Sequence, residues 1–331
     1  MSEENPTPSG ESDLRTALTA QKKKRRTVAI AVGAVAVVGL VAGTVAIVAN
    51  LGGTEPAANA AEASAAPDDL SVTIATAEDS VFQDTIAEVA AEKGLEVEWL
   101  NVDDWVLPNT ELVAGTVDAN AFQHILYLSA FNTENDADIT PVFSTVITQW
   151  GIFSATLDDV DALADGARIG IPDDPSNGGR ALNILESAGL IQLSDDAGDF
   201  PTVDDIESNE RNLQFVPLPA RDIPLQFEDP SLAAVIVGTS YFDPSQGIGA
   251  DDALFLDDSL DEKNLPYVNV VATRADDVDN PAWDILQEAY ADPRVAEALE
   301  EEYFGNTALV EVDIDDLRAK LADLEAAAAQ G

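Results

Sequence analysis

Arg180 is the residue whose position first points to chemistry. It follows Gly178-Gly179 at the predicted start of an amphipathic helix, within IPDDPSNGGRAL over residues 171–182. A helix N-terminus offers free backbone N–H groups and the positive end of the helix dipole, so a guanidinium there opposes the dipole unless an anion lies between the two. The pattern therefore predicts that Arg180 binds a carboxylate or a phosphate, and a solvated surface arginine is the alternative.

A second group of candidate residues follows the predicted strands and is rich in aromatic rings: Trp105, Phe122, His124, Tyr127 and Asn269. Asn269 stands among valines in a predicted strand, where an unpaired amide costs about 1–3 kcal/mol. An arginine, an asparagine and several rings can together hold a zwitterion with an apolar side chain. The guanidinium takes the carboxylate through paired bonds, and the rings take the side chain. Taken singly, each ring and His124 also fits the core of a folded protein.

The formal charge of the chain is −46, from 62 acidic and 16 basic residues. Such a surface repels nucleic acid and anionic lipid headgroups, so we expect no nucleic-acid partner, and the acidity fits a salty medium or a need for solubility. The chain has no cysteine and one histidine, His124, which excludes thiol catalysis, cysteine zinc sites and multi-histidine metal sites. The acidic residues are too numerous for any one pair to indicate catalysis. We expect no metal, no cofactor and no enzyme activity.

The N-terminal region is typical of a membrane anchor. KKKRR at 22–26 precedes an uncharged stretch over 27–49 that is long enough to cross a bilayer as a helix. Basic residues flank the cytoplasmic side of such helices, so we expect a cytoplasmic tail over 1–26, a single-pass anchor over 27–49 in the cell membrane, and an extracytoplasmic domain. A flexible linker rich in Ala, Pro and Gly, over 50–69, joins the last two. A cleaved signal peptide is the alternative, although its apolar region spans only about 7–15 residues.

From residue 70 onward, predicted strands and helices alternate. Strands are expected over 71–76, 95–102, 118–120, 139–147, 151–156, 167–172, 213–219, 232–238 and 267–274. Helices are expected over 81–94, from the 120s to residue 135, over 158–166, from Arg180 onward, over 281–305 and over 312–329. Repeated β-α-β units predict an α/β fold with mainly parallel sheets in two lobes, one of 70–153 with 270–331 and one of 154–269. Ligands of such folds bind beyond the carboxyl ends of the strands.

Five motifs, in this order, resemble those of the methionine-binding lipoproteins of the NlpA type, which are substrate-binding subunits of ABC importers: DWVLPN, DANAFQHILYL, IPDDPSNGGRAL, SAGLIQL and PYVN. The resemblance covers nearly all of residues 70–310 and implies a two-lobed clamshell of the type II periplasmic-binding-protein class. It implies that the clamshell closes on L-methionine or a related amino acid and delivers it to a permease and an ATPase. It further implies six ligand contacts, with Arg180 on the α-carboxylate, Asn269 on the α-amino or carboxylate group, and His124 beside an aromatic wall of Trp105, Phe122 and Tyr127.

Three departures from the family pattern bear on the ligand and on the anchor. The family attaches a lipid to an N-terminal cysteine, which this chain lacks, so the 27–49 segment is expected to replace that anchor. The family strand that ends in V-I-N supplies a further polar ligand contact but reads AAVIVGTSYF here, so Val237 or Gly238 takes the place of the asparagine. Thr239 and Ser240 are the two candidates to substitute for that contact. The family tyrosine of the first motif is Trp105. Two alternatives therefore remain. The same fold could bind another amino acid or a small peptide, or the protein could be a ligand sensor without transport.

Overall fold

The computed structural model describes residues 70–102, 104–259 and 261–329. The predicted tail, anchor and linker, which together span residues 1–69, lie outside these ranges. Within the described part of the chain, no helix is both long and apolar enough to cross a membrane. The described residues form an α/β fold built around two separate five-stranded sheets, one in each lobe.

The first sheet has the strand order β2-β1-β3-β13-β4, from β1 (Leu70–Thr76), β2 (Leu95–Asn101), β3 (Ala119–Asn120), β4 (Ile139–Ser144) and β13 (Val270–Arg274). β1 runs parallel to both β2 and β3, whereas β13 runs antiparallel to β3 and β4. Successive residues of a strand point to opposite faces, so Ile74 and Ala75 enter different hydrophobic clusters. Both faces of this sheet are therefore covered, which explains its apolar strands.

The second sheet has the order β10-β7-β11-β6-β12, from β6 (Trp150–Phe153), β7 (Arg168–Pro172), β10 (Gln214–Leu218), β11 (Ala234–Gly238) and β12 (Ala253–Leu256). β7 pairs in parallel with β10 and β11, and β6 pairs antiparallel with β11 and β12. Ile236 and Val237 of β11 pack on opposite faces of the sheet. The expected mixture of buried strands and covering helices is therefore present in both lobes.

Helices pack on the two sheets: α1 (Val81–Glu92), α2 (Leu107–Val113), α3 (Ile125–Asn135), α4 (Pro175–Ser187), α5 (Ala282–Tyr290), α6 (Pro293–Glu302) and α7 (Ile314–Ala328). Two small antiparallel pairs complete the strands: β5 (Val146–Thr148) with β14 (Thr307–Leu309), and β8 (Gln192–Leu193) with β9 (Ile206–Ser208). Several 3₁₀ turns connect these elements.

The chain crosses from the first lobe to the second just before Trp150 and returns through the 3₁₀ helix Glu262–Tyr267. The predicted boundary at residue 153 falls after β6, yet β6 hydrogen-bonds within the second sheet. Sequence alternation shows that a strand exists but not which sheet it joins, so the boundary lies a few residues earlier than expected. The remainder of the predicted division into 70–153 with 270–331 and 154–269 stays a prediction.

Some predicted elements differ from those observed. The strand expected over 139–147 is split into β4 and β5, which pair with different partners. The helix expected over 281–305 is two helices, because Pro293 cannot continue α5 and instead starts α6, capped by Asp292. The helix expected over 158–166 is reduced to the 3₁₀ turn Val160–Ala162.

Candidate ligand-binding cleft

A cavity of about 280 Å³ lies between the two lobes. Its wall includes all six residues that the sequence analysis selected: Trp105, Phe122, His124, Tyr127, Arg180 and Asn269. These residues are far apart in the chain, so their meeting at one cavity is a property of the fold. Their role as ligand contacts remains a prediction.

Arg180 was predicted at the start of a helix, but it lies in the second turn of α4. α4 begins at Pro175, whose fixed φ suits the first helical position. The Asp174 side chain caps this end by accepting a hydrogen bond from Asn177 N at 2.9 Å. A carboxylate of the protein itself therefore occupies the helix N-terminus. The expectation that Arg180 begins the helix and opposes its dipole was wrong, because the guanidinium is carried more than one turn beyond that end.

Gly178 and Gly179 lie inside α4 because larger side chains would not fit there. A Cβ at Gly178 would stand 2.9 Å from the carbonyl oxygen of Pro172, and one at Gly179 would stand 3.0 Å from Cδ of Pro201. The glycines therefore allow close approach of the helix to its neighbours and do not end it. This close packing fixes the turn of α4 that carries Arg180.

The Arg180 guanidinium is buried, with 2% of the residue exposed, and packs against two rings. Its Cζ lies 4.7 Å from the ring centroid of Trp150 and 4.2 Å from that of Tyr267. Nη2 donates to the carbonyl oxygen of Thr148 at 3.1 Å. Nε has no hydrogen-bond partner, and among the described residues it is the one buried side-chain nitrogen or oxygen in that state. None of the ion pairs among the described residues includes Arg180.

Burial lowers the pKa of Arg180 to about 10, so the group is protonated at neutral pH. A charge taken out of water is costly unless a paired charge offsets the desolvation. An anionic ligand in the cavity would supply that charge and an acceptor for Nε. A carboxylate fits this requirement because its two oxygens can accept more than one N–H donor.

His124 joins the two lobes as a neutral ring. It caps α3, since Nδ1 accepts a hydrogen bond from Tyr127 N at 3.1 Å. Nδ1 therefore carries no proton, so Nε2 carries one and donates it to Asn177 Oδ1 at 3.1 Å. Asn177 Nδ2 in turn donates to the Asp174 carboxylate at 3.0 and 3.1 Å. Burial, together with the positive charge of Arg180, lowers the pKa of His124 to about 3.

The three rings of the predicted aromatic wall line the cavity together, and their contacts extend into the second lobe. Tyr127 makes edge-to-face contacts with Trp105 and Phe122, at centroid distances of 6.4 and 6.0 Å. Trp105 also contacts Tyr241 across the cleft at 5.3 Å, and Tyr241 contacts Trp150 at 5.6 Å. Tyr241 and Trp150 line the cavity and were missed by the sequence analysis. The signal that could have found Tyr241 is its position directly after a buried strand.

Asn269 was expected inside a strand, but it directly precedes β13. Its backbone is paired on both sides, because its N–H donates to the Val146 carbonyl oxygen at 2.8 Å and its carbonyl oxygen accepts from Thr145 N at 2.8 Å. Its side chain lines the cavity, where no other described residue bonds to the amide. An amide both donates and accepts, so Asn269 can serve an amino or a carboxylate group.

A buried amide network, which was not predicted from the sequence, supports the cleft from the first lobe. Asn109 Oδ1 accepts from Asn120 Nδ2 at 2.8 Å and from Gln123 Nε2 at 2.6 Å. Asn109 Nδ2 donates to Gln123 Oε1 at 2.8 Å. All three residues are buried. The network ties the DWVLPN motif to the DANAFQH motif and thereby positions Trp105 and Phe122.

The structure clarifies what replaces the family asparagine. Val237 is fully buried on the face of the second sheet away from Trp150, so it does not reach the cavity. A Cβ at Gly238 would stand 2.7 Å from Trp150 Nε1, so the indole leaves no room for a side chain there. Of the two predicted substitutes, Thr239 is buried and donates through Oγ1 to the Gln149 carbonyl oxygen at 3.1 Å, whereas Ser240 lines the cavity.

Known proteins resemble this chain over most of the described region. The family model of the NlpA lipoprotein matches residues 70–312. The D-methionine-binding lipoprotein MetQ of Escherichia coli K12 is 33% identical over 240 residues, which are 72% of this chain and 87% of the relative.

Two solved structures show the same fold. A nutrient binding protein from Burkholderia cenocepacia bound to methionine has a TM-score of 0.67 at 31% identity, over 72% of this chain and 99% of that one. The substrate binding protein of a methionine transporter from Streptococcus pneumoniae has a TM-score of 0.66 at 27% identity, over 72% and 95%. These relatives are named as binding proteins, in agreement with the prediction that the chain is not an enzyme. From the sequence match and the shared two-lobed fold, the chain belongs to the NlpA lipoprotein family.

Proposed function

We propose that this protein is the substrate-binding subunit of an ABC importer and captures methionine, or a similar apolar amino acid, between its lobes. The observation that carries the proposal is the buried Arg180 guanidinium, which lines the cavity with an unpaired Nε and has no ion pair among the described residues. A free amino acid brings the carboxylate that this guanidinium lacks. Its side chain then meets the aromatic rings on the rest of the wall.

The relatives support this choice of ligand. One is named for D-methionine, one was solved with methionine bound, and one is named for a methionine transporter. A thioether also suits the wall, because sulfur makes favourable contacts with aromatic rings, of which Trp105, Phe122 and Tyr127 are available. Transport then requires a permease and an ATPase as partners.

The polar contacts have distinct roles in this proposal. Arg180 holds the α-carboxylate, and the Asn269 amide holds the amino group or the second carboxylate oxygen. Both ring nitrogens of His124 already have partners, so His124 meets the ligand through its ring and not through a hydrogen bond. It also connects the lobes through Asn177, which ties it to the closed arrangement around the ligand.

We further propose that residues 27–49 anchor the protein with its binding domain outside the cytoplasm. The family is one of lipoproteins, yet this sequence has no cysteine to carry a lipid, and 27–49 is an uncharged stretch behind five basic residues. We expect the full-length protein to remain in carbonate-washed membranes. A variant with charged residues placed inside 27–49 should be released, and its retention would contradict the anchor.

Isothermal titration calorimetry tests the ligand. The full-length protein, held in a mild detergent, is stripped of bound ligand by unfolding and refolding, and then titrated with L-methionine, D-methionine, the other amino acids and a methionine dipeptide. We expect one-to-one binding of methionine. Methioninol, which has no carboxylate, is the matched control and should bind about 100-fold more weakly, since it leaves Arg180 unpaired.

A folded protein that binds neither enantiomer of methionine would refute the proposal. Tighter binding of another amino acid would keep the importer and change its ligand, an outcome for which Trp105 and the lack of a side chain at Gly238 give a structural reason. Binding of the dipeptide alone would indicate a peptide carrier.

A further inference from the structure

The four tryptophans of the chain differ in the state of their indole N–H groups. Trp99 and Trp283 donate from Nε1 to backbone carbonyl oxygens, at 2.9 and 2.8 Å. For Trp105 and Trp150, no described residue accepts a bond from Nε1, and both of these residues line the cavity. An indole N–H in a protein interior usually has an acceptor, so the two N–H groups at the cavity call for an explanation.

Trp105 and Trp150 differ in their access to water. Trp105 is partly exposed, so solvent can accept its N–H bond. Trp150 is only 2% exposed, so its ring meets little bulk water, and no described residue accepts a bond from its Nε1. The N–H of Trp150 is therefore a second donor at this cavity without an acceptor among the described residues, beside the fully buried Nε of Arg180.

Gly238 explains why the indole lies where it does. The two residues stand opposite each other in the antiparallel pair of β6 and β11, and a Cβ at Gly238 would be 2.7 Å from Trp150 Nε1. The indole thus fills the space into which a side chain at 238 would project. Its ring also packs against the Arg180 guanidinium, with 4.7 Å between Cζ and the ring centroid. The fold therefore holds two unpaired donors on neighbouring side chains.

We propose that Trp150 contacts the ligand and that its indole N–H donates to the same carboxylate that Arg180 binds. The inference rests on the proposed function and adds a specificity-determining residue to it. A carboxylate offers one oxygen to each donor, with about 3 Å between the heavy atoms of each bond. Since an indole nitrogen only donates, this position accepts a carboxylate oxygen and rejects an ammonium group, which fixes the direction of the amino acid in the cleft.

Nuclear magnetic resonance of the full-length protein labelled with ¹⁵N-indole tryptophan gives a direct test. Trp150→Phe identifies the Trp150 signal by its loss. Addition of L-methionine should move that signal downfield, as expected for a new bond to a charged acceptor, while the Trp99 and Trp283 signals stay in place. A Trp150 signal that does not move under saturating methionine would overturn the inference.

Calorimetry of the same variant measures the effect on affinity. Trp150→Phe keeps a ring against Arg180 and removes the N–H, so we expect methionine affinity to fall about tenfold or more. The matched control is Trp99→Phe, which removes an indole N–H outside the cavity wall, where it donates to the Gln83 carbonyl oxygen, and should change the affinity less than threefold. Equal affinity of the Trp150→Phe and wild-type proteins would contradict the inference.

Gly238→Ala separates the hydrogen bond from the lost ring volume of Trp150→Phe. This variant changes no atom of the indole, but its methyl group would stand 2.7 Å from Nε1 and must displace it. We expect weaker methionine binding and a smaller shift of the Trp150 signal. Unchanged binding and an unchanged shift would count against the inference. Wild-type protein that binds no methionine would instead refute the proposed function, so the two failures are distinguishable.

Discussion

Arg180 and Arg274 show how differently two arginines can be held in one molecule. Arg274, at the end of β13, bonds through Nε and Nη2 to Asp277 at 2.7 and 2.6 Å. Its Nη1 donates to the carbonyl oxygens of Leu112 and Val117 at 2.9 and 2.6 Å. Arg180 is more deeply buried, yet it has one hydrogen bond, to Thr148, and no ion pair among the described residues.

This difference in partners distinguishes an arginine that stabilises the fold from one that is available to bind a ligand. A fold that buries a guanidinium for its own stability satisfies its donors, because an unpaired buried charge is among the costliest groups in a protein. Arg274 follows this rule and ties α2 to the first sheet. Arg180 breaks the rule at a cavity that an anion can enter, so its missing partner indicates the ligand.

The strongest prediction concerns Arg180. We expect Arg180→Ala to weaken methionine binding about 100-fold or more, which corresponds to about 2.7 kcal/mol, because the ligand carboxylate would be buried without its partner. Removal of an unpaired buried charge should leave the free energy of unfolding of the ligand-free protein within about 1 kcal/mol of wild type. Calorimetric titration and urea unfolding measure the two quantities. Near-normal affinity would remove Arg180 from the site.

Arg274→Ala should show the opposite result and serves as the matched control. The variant leaves two carbonyl oxygens and Asp277 without their donor, so we expect the free energy of unfolding to fall by about 2–3 kcal/mol. Methionine affinity of the folded fraction should stay within about twofold of wild type, since Arg274 does not line the cavity. If both arginines changed affinity alike, the distinction between them would fail.

The sequence predicted the kind of fold and the residues of the first-lobe wall better than the position of the charge. Phe122 and Tyr127 share one motif, so local spacing was enough to group these two, whereas Trp105 joined them through its position after a predicted strand and through the resemblance to the family. The start of α4 was misplaced because Gly178-Gly179 resembles a helix boundary. The two glycines are in fact needed for close packing against Pro172 and Pro201, and no local sequence pattern shows these contacts.

The residues of the second lobe that line the cleft were mostly not predicted from the sequence. Trp150 and Tyr241 line the cavity and Tyr267 packs against Arg180 behind it. The three rings come from distant segments and converge only through strand order in the second sheet and the return of the chain to the first. Tyr267 stood inside the quoted motif PYVN, yet nothing in the motif shows that its ring packs against Arg180. The sequence shows that Gly238 departs from the family asparagine, but it does not show that the Trp150 indole fills the space of the missing side chain.

The remaining predictions concern His124, whose pKa depends on the charge of Arg180 and not on that of Arg274. The folded protein holds the pKa of His124 at about 3, mainly by burial and then by the charge of Arg180. Since His124 is the single histidine of the chain, its titration is directly visible by nuclear magnetic resonance. We expect Arg180→Ala to raise this pKa and Arg274→Ala to leave it unchanged. A rise of the same size in both variants would mean that burial alone controls the ring.

The same pKa predicts how stability depends on pH. The folded pKa lies below the ordinary value of 6.5, so the unfolded chain binds the proton first as the pH falls from about 6.5 toward 3, and His124 then destabilises the fold. Between pH 7 and pH 5, ligand-free wild type should lose about 2 kcal/mol more than His124→Gln, which has no group to protonate at this position. Urea unfolding of both proteins at the two pH values measures this difference. Equal losses would show that the His124 ring is protonated in the folded protein, in which case Nε2 and Nδ1 could not both keep the hydrogen bonds to Asn177 and Tyr127.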